Sequence, residues 1–186
     1  METTLKGRLL VATPALMDPN FFRTVVLIVE HTDQGALGVV LNRPSEMDLD
    51  ATPLEQWRAA AAEPPLIFVG GPVQPTAAIC LARISHSPTE ASSWQPVVDG
   101  LGVLDLDGDV TEMRSDLDRL RVFAGYAGWG GGQLEREIEE GSWYVLEADP
   151  EDALSSEPIG LWRFVLRRQG GQLALVANFP ADPSMN

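Results

Sequence analysis

Residues 25–29, VVLIV, are apolar at every position. Side chains alternate across a strand, so both faces of this one must be covered. That requirement places the run inside a sheet with further structure packed on each side. LKGRLLVAT at 5–13 precedes it and ALGVVLN at 36–42 follows, each β-branched or leucine-rich. The first third of the chain therefore reads as strands. Asp33-Gln34-Gly35 gives a short connection, and 24–32 and 36–42 read as a hairpin.

Further strands are expected from LIFVGGPV (66–73), TAAICLARI (76–84), RVFAGYAG (121–128) and LALVAN (173–178). Thr52-Pro53-Leu54-Glu55 carries the marks of a helix start: Thr52 as N-cap, Pro53 at the first helical position and Glu55 closing a capping box. That helix should run to about residue 62. A second is expected over 132–140, with Leu134 and Ile138 toward the core. A third over 158–171 places Leu161, Trp162, Val165 and Leu166 on one face, with Arg167 and Arg168 in its last turn and Gly170 as its stop. Residues 85–100 read as an irregular surface excursion, and 180–186 as a frayed tail. At 186 residues and 45% hydrophobic content, one domain spanning 1–186 can bury roughly 70% of its unfolded surface.

Charge narrows the partners. Thirteen Lys and Arg against 27 Asp and Glu give a formal net charge of -14, so the mean potential repels polyanions. Nucleic acid and anionic membrane surfaces are disfavoured. The apolar runs are far shorter than the roughly 20 residues of a membrane helix. The amino terminus lacks the basic and apolar regions of a secretory leader, and the single cysteine, Cys80, cannot form an intramolecular disulfide. A cytoplasmic location is the expectation. Cys80 lies in an apolar run and reads as a buried side chain rather than a nucleophile.

No catalytic or metal-binding constellation stands out. The stretch GYAGWGGGQLEREIEEGSW at 125–143 follows a strand and enters a helix, the context of a phosphate-binding turn. It lacks GK[ST] and a clean GxGxxG, and Glu135 and Glu137 would repel a phosphate, so close backbone packing is the preferred reading. Asp105, Asp107 and Asp109 mimic the first ligands of a calcium loop, but Val110 stands where glycine is required and Asp116 where glutamate is usual. A surface turn at Asp107-Gly108 is preferred. His31 and His86 have no cysteine or histidine cluster around them, which speaks against zinc. Glu30 and His31 are adjacent on a strand and must point to opposite faces.

Three segments, GRLLVATPALMDPNFFRTVVLIVEHTDQGALGVVLNRP (7–44), FVGGPV (68–73) and the glycine-rich stretch at 125–143, closely resemble the signature of the bacterial YqgE/AlgH family. The resemblance implies an α+β fold with mixed, coiled and branching β-sheet, packed helices, and no established activity or cofactor. The shared motif positions are Asp18, Glu30, His31, Asn42, Arg43, Pro44, Gly70, Gly71, Pro72, Trp129, Gln133, Leu134 and Glu135. If the 42–44 and 70–72 segments end neighbouring strands at one edge, a composite site becomes possible. Its candidate ligand-binding residues are Asn42, Arg43, Gly70, Gly71, Trp129, Gln133 and Glu135, with no cofactor or metal. The resulting expectation is a binding or regulatory module with a protein or small-molecule partner. The rival is an enzyme using carboxylates, with Asp18, Glu30 or Glu135 drawn together from distant segments.

Overall fold

The computed structural model describes residues 3–86, 93–107 and 116–182. Ten strands occur among them: β1 (Arg8–Ala12), β2 (Val25–Thr32), β3 (Gly35–Val40), β4 (Pro44–Asp48), β5 (Leu66–Val69), β6 (Val73–Ile84), β7 (Trp94–Val98), β8 (Leu101–Leu104), β9 (Leu117–Gly130) and β10 (Trp143–Glu147). The helices are α1 (Gln133–Glu139), α2 (Leu161–Gln169) and α3 (Gly171–Val176), with short 3-10 segments between. The main path of the sheet runs β10-β1-β2-β3-β9-β6-β8-β7. β5 branches from β9 as the one parallel pair, and β4 pairs with β5.

The sheet curls into a half-barrel. Its far strand approaches its beginning, because a Cβ on Gly7 would lie 2.9 Å from the Val97 carbonyl oxygen. One apolar cluster draws on strands across the whole sheet, including Leu9, Leu27, Phe68, Leu81, Leu101 and Phe123, and so marks the inside of the curl. Leu161, Trp162, Val165 and Leu166 of α2 fill part of it, on the face expected from their spacing. Two further clusters cover the outer face. Cys80, Trp57 and Leu120 belong to one; Leu10, Trp129, Leu134 and Trp143 belong to the other, beside α1. The VVLIV run has both faces buried: Val25, Leu27 and Val29 point inward, Val26 and Ile28 outward.

Branching and coiling match the expected fold class, but the sheet is antiparallel apart from β5–β9, and helices form no full layer. The molecule is mostly sheet rather than an α+β stack. Residues 173–178 do not form a strand: 171–176 are helical, and the Arg163 guanidinium binds the Ala177 carbonyl to hold the turn beside α2. Residues 52–62 form no α-helix either. The 3-10 segment Glu55–Ala60 has no side-chain cap, and Thr52 instead bonds Leu49 and Leu54. The chain is pulled extended where Ala61 bridges Leu120 and the Ala62 N–H donates to the Leu120 carbonyl. The excursion at 85–100 contains β7, which pairs with β8; residues 87–92 lie outside the described chain. The end of the expected frayed tail, 183–186, lies outside it as well. No helix among the described residues is long and apolar enough to cross a membrane.

Candidate functional site

Asp18, Asn42, Arg43 and Trp129 of the motif gather around the loop that joins β1 to β2. Asp18 starts its tight turn: its carbonyl accepts from Phe21 (2.9 Å) and Phe22 (2.7 Å), and its side chain accepts from the Asn20 N–H at 2.8 Å. Asn42, just past β3, accepts from the Val25 N–H (3.0 Å) and donates to the Arg23 carbonyl (2.9 Å). Arg43 donates to the carbonyls of Asn20 (2.7 Å), Pro19 (2.9 Å) and Phe22 (3.2 Å). Burial holds the Arg43 pKa below its ordinary value, and Asp18 partly offsets this. A planar guanidinium with several fixed donors suits this task, since one side chain can satisfy several carbonyls of a curved backbone.

The other wall is aromatic. Phe21 stacks on Trp129 at 6.2 Å between ring centroids and meets Trp143 edge-on at 5.5 Å. Both indole N–H groups, at 2.8 Å and 3.0 Å, donate to a single carboxylate oxygen of Glu137 on α1. Gln133 completes the set, donating to Glu137 at 3.2 Å and accepting from the Gly130 N–H at 3.1 Å.

Gly70 and Gly71 act one layer away, in strand placement. The Val40 N–H donates to the Gly70 carbonyl and the Val69 N–H to that of Arg43, so the 42–44 and 70–72 segments are neighbours as the composite-site idea required. Their function there is close approach: a Cβ on Gly71 would fall 2.1 Å from the Tyr126 carbonyl carbon. Asn42, Arg43 and Trp129 thus converge on one loop, Gln133 stands behind Trp129 through Glu137 and Gly130, and the two glycines seat the strands beneath. Glu135 faces elsewhere.

Glu135 pairs with His31, Oε1 to Nε2 at 2.6 Å, and the Leu5 N–H donates to His31 Nδ1 at 3.0 Å. A nitrogen that accepts a backbone N–H carries no proton, so Nε2 carries it and donates to the carboxylate. Glu135 is held below the usual carboxylate range by its own backbone N–H first and by His31 next. Both ring nitrogens are engaged, which leaves no free position for activating a nucleophile. The three carboxylates of the enzyme reading stand apart. Glu135 lines a cleft with His31, Glu30 lines others beside Leu37, and Asp18 turns its carboxylate back to the Asn20 N–H of its own loop.

The glycine-rich stretch is not arranged as a phosphate cradle. α1 is seven residues long, the Gly130 N–H is taken by Gln133, and Glu135 stands in the first turn. In the calcium-like segment Asp105 accepts from the Asp107 N–H at 3.0 Å, while residues 108–115, and with them Asp109 and Gly108, lie outside the described chain. Among the described residues no group of three His, Cys, Asp or Glu side chains could hold a metal ion.

Sequence reasoning missed an open, charged cleft of about 550 Å³ lined by Arg119, Glu151, Asp152 and Arg168 among others. Its charges are mutually satisfied. Arg119 donates to both oxygens of Glu151 (2.6 and 2.7 Å), Arg83 also pairs with Glu151, and Arg168 grips buried Asp152 at 2.7 and 2.9 Å. Beside it, buried Arg121 binds the carbonyls of Glu63, Ala153 and Ser155, and burial lowers its pKa to about 10. The legible signal was DPED at 149–152, whose Asp149 and Asp152 form a capping box.

Similar proteins match nearly the whole chain. The AlgH-like family model matches residues 9–174. A UPF0301 protein of Streptomyces avermitilis is 49% identical over 99% of this chain and 96% of its own, and one from Mycobacterium tuberculosis is 46% identical over 97% and 90%. A crystal structure of a Corynebacterium diphtheriae protein superposes with a TM-score of 0.86 at 29% identity, covering 96% of this chain and 94% of that one. The solution structure of AlgH from Pseudomonas aeruginosa superposes with a TM-score of 0.70 at 32% identity, covering 97% and 96%. Matched nearly end to end in sequence and in fold, this chain belongs to the AlgH-like, UPF0301 family.

Proposed function

We propose that the chain is a non-catalytic binding module of the cytoplasm that presents the loop at residues 14–23 to a protein partner. The observation that supports this reading is how Arg43 is used: its guanidinium is spent on three carbonyls of a loop whose other side faces solvent. Met17 is 54% exposed at its crest, beside exposed Asp18, Pro19 and Asn20. Fixing a loop before binding removes an ordering cost from the encounter, and loops held by a rigid sheet are where recognition residues collect. Catalysis by Asp18, Glu30 and Glu135 is not favoured, since Glu30 and Glu135 line different clefts and Asp18 is engaged in its own turn.

Affinity capture from native cells with the full chain tests the proposal. The wild type should retain a defined protein. Met17→Asp should weaken that capture about tenfold or more, the size of a modest interface hot spot. Arg43→Gln should cost about 1–3 kcal/mol of stability and speed amide exchange at Phe21, Phe22 and Thr24 while the β1–β2–β3 amides stay protected. Capture of nothing by the wild type, or capture unchanged by Met17→Asp, would overturn the reading.

A further inference from the structure

One end of the half-barrel is open. α2 and the 3-10 segment Pro150–Leu154 fill part of the inside, but a cleft of about 430 Å³ remains between β2, β3, β6, β7 and β8. Its walls are mostly aliphatic, from Val29, Leu37, Ile79, Pro96, Val97 and Val103, with the neutral amide of Gln95 beside them. They stand on paired strands of one sheet, so the cavity is preformed and does not depend on a loop closing. The volume falls within the usual range for small-molecule sites, and the mouth of a curled sheet is a recurrent place for them.

Two opposite charges line the same cleft. Lys6 is the only lysine of the chain, and its side chain makes no ion pair or hydrogen bond with any described residue. The Glu30 carboxylate is equally unengaged, although strand β2 places it in the same cleft. Arg119 with Glu151 and Arg168 with Asp152 show that close ion pairs form in this protein where a cation and a carboxylate meet. An ammonium and a carboxylate that share a cleft without meeting leave room for a molecule that complements both. A fatty acid would answer Lys6 and be repelled by Glu30; an alkylamine would have the reverse fault. A zwitterion satisfies each.

We propose that this cleft binds a small aliphatic zwitterion of the branched-chain amino-acid class, with its alkyl body among the valines and leucine, its carboxylate on Lys6 and its ammonium on Glu30. The site is separate from the 14–23 loop and does not depend on that loop's role.

Methyl-detected NMR of the full chain, labelled at Val, Leu and Ile, is the test, with leucine, 4-methylpentanoate, isopentylamine and glycine as probes. Leucine should shift the methyls of Val29, Leu37, Ile79, Val97 and Val103 saturably. The two singly charged analogues should bind about fivefold more weakly or worse, since each forfeits one charge-assisted contact, and glycine should not move these signals. Lys6→Met and Glu30→Gln, both at exposed positions, should each weaken leucine about fivefold with an unchanged melting midpoint. The proposal is overturned if leucine leaves these methyls unmoved, if 4-methylpentanoate or isopentylamine equals leucine, or if neither substitution affects binding.

Discussion

Glu137 shows how much can rest on one side chain. A single oxygen accepts both indole N–H groups, and Trp129 and Trp143 are only 6% and 4% exposed. Glu137→Ala would leave two buried donors without an acceptor, at roughly 1–3 kcal/mol each. Denaturant unfolding followed by tryptophan fluorescence should therefore register a loss of about 2–4 kcal/mol. Glu137→Gln keeps an acceptor oxygen and should lose about half as much; equal losses for the two variants would mean that the hydrogen bonds do not matter. From the sequence Glu137 was legible only as a negative charge that would repel a phosphate. Its partners come from β9 and β10, and nothing in the spacing of Trp129 and Trp143 reveals that both rings turn toward the same carboxylate. The same limit applies to Asn42 and Arg43. Their importance was legible in a motif, but not that they face the backbone of a loop some twenty residues earlier.

At the scale of elements, patterns that state their own burial were readable and patterns that depend on a partner were not. VVLIV announced a strand covered on both sides, and the face of α2 followed from its spacing. LALVAN carries β-branched and leucine-rich content as well, yet α2 and not a strand edge lies beside it, and it coils. β4, β7, β8 and β10 are short segments whose strand character comes from pairing. The glycine-rich stretch combines both situations. β9 runs through it to Gly130, and only some of its glycines are under constraint. Gly125 has φ +76° and a Cβ there would lie 2.5 Å from the Gly71 carbonyl oxygen, so Gly125→Ala should cost about 2–4 kcal/mol through backbone strain and overpacking. At Gly128 the nearest atoms to an added Cβ are at 3.7 and 3.9 Å, and Gly128→Ala should stay within about 0.5 kcal/mol of wild type. Thermal unfolding of the two variants separates these cases; equal midpoints would show that close backbone approach is not what glycine provides here.

At the scale of the whole molecule, the arrangement of charge bears on partners more than its sum does. The net charge of -14 was plain from composition, but the engagement of the cations needed coordinates. Arg83, Arg119 and Arg168 are committed to Glu151 and Asp152; Arg23, Arg43, Arg121 and Arg163 hold backbone carbonyls. Lys6, Arg136 and Arg167 are exposed, and they sit on three different elements: the segment before β1, α1 and α2. Duplex affinity requires clustered cations that can neutralise several phosphates together, and recruiting the committed arginines would break the contacts that fix the 14–23 loop and the end of the barrel. Any regulatory effect of this protein should accordingly pass through another protein or a small ligand. Titration of fluorescently labelled mixed-sequence duplex at low salt should give no salt-sensitive binding tighter than about 1 µM, the upper end of ordinary non-specific affinity. Tighter binding that weakens steeply as salt is added would show instead that these arginines do release their carbonyls and carboxylates for phosphate.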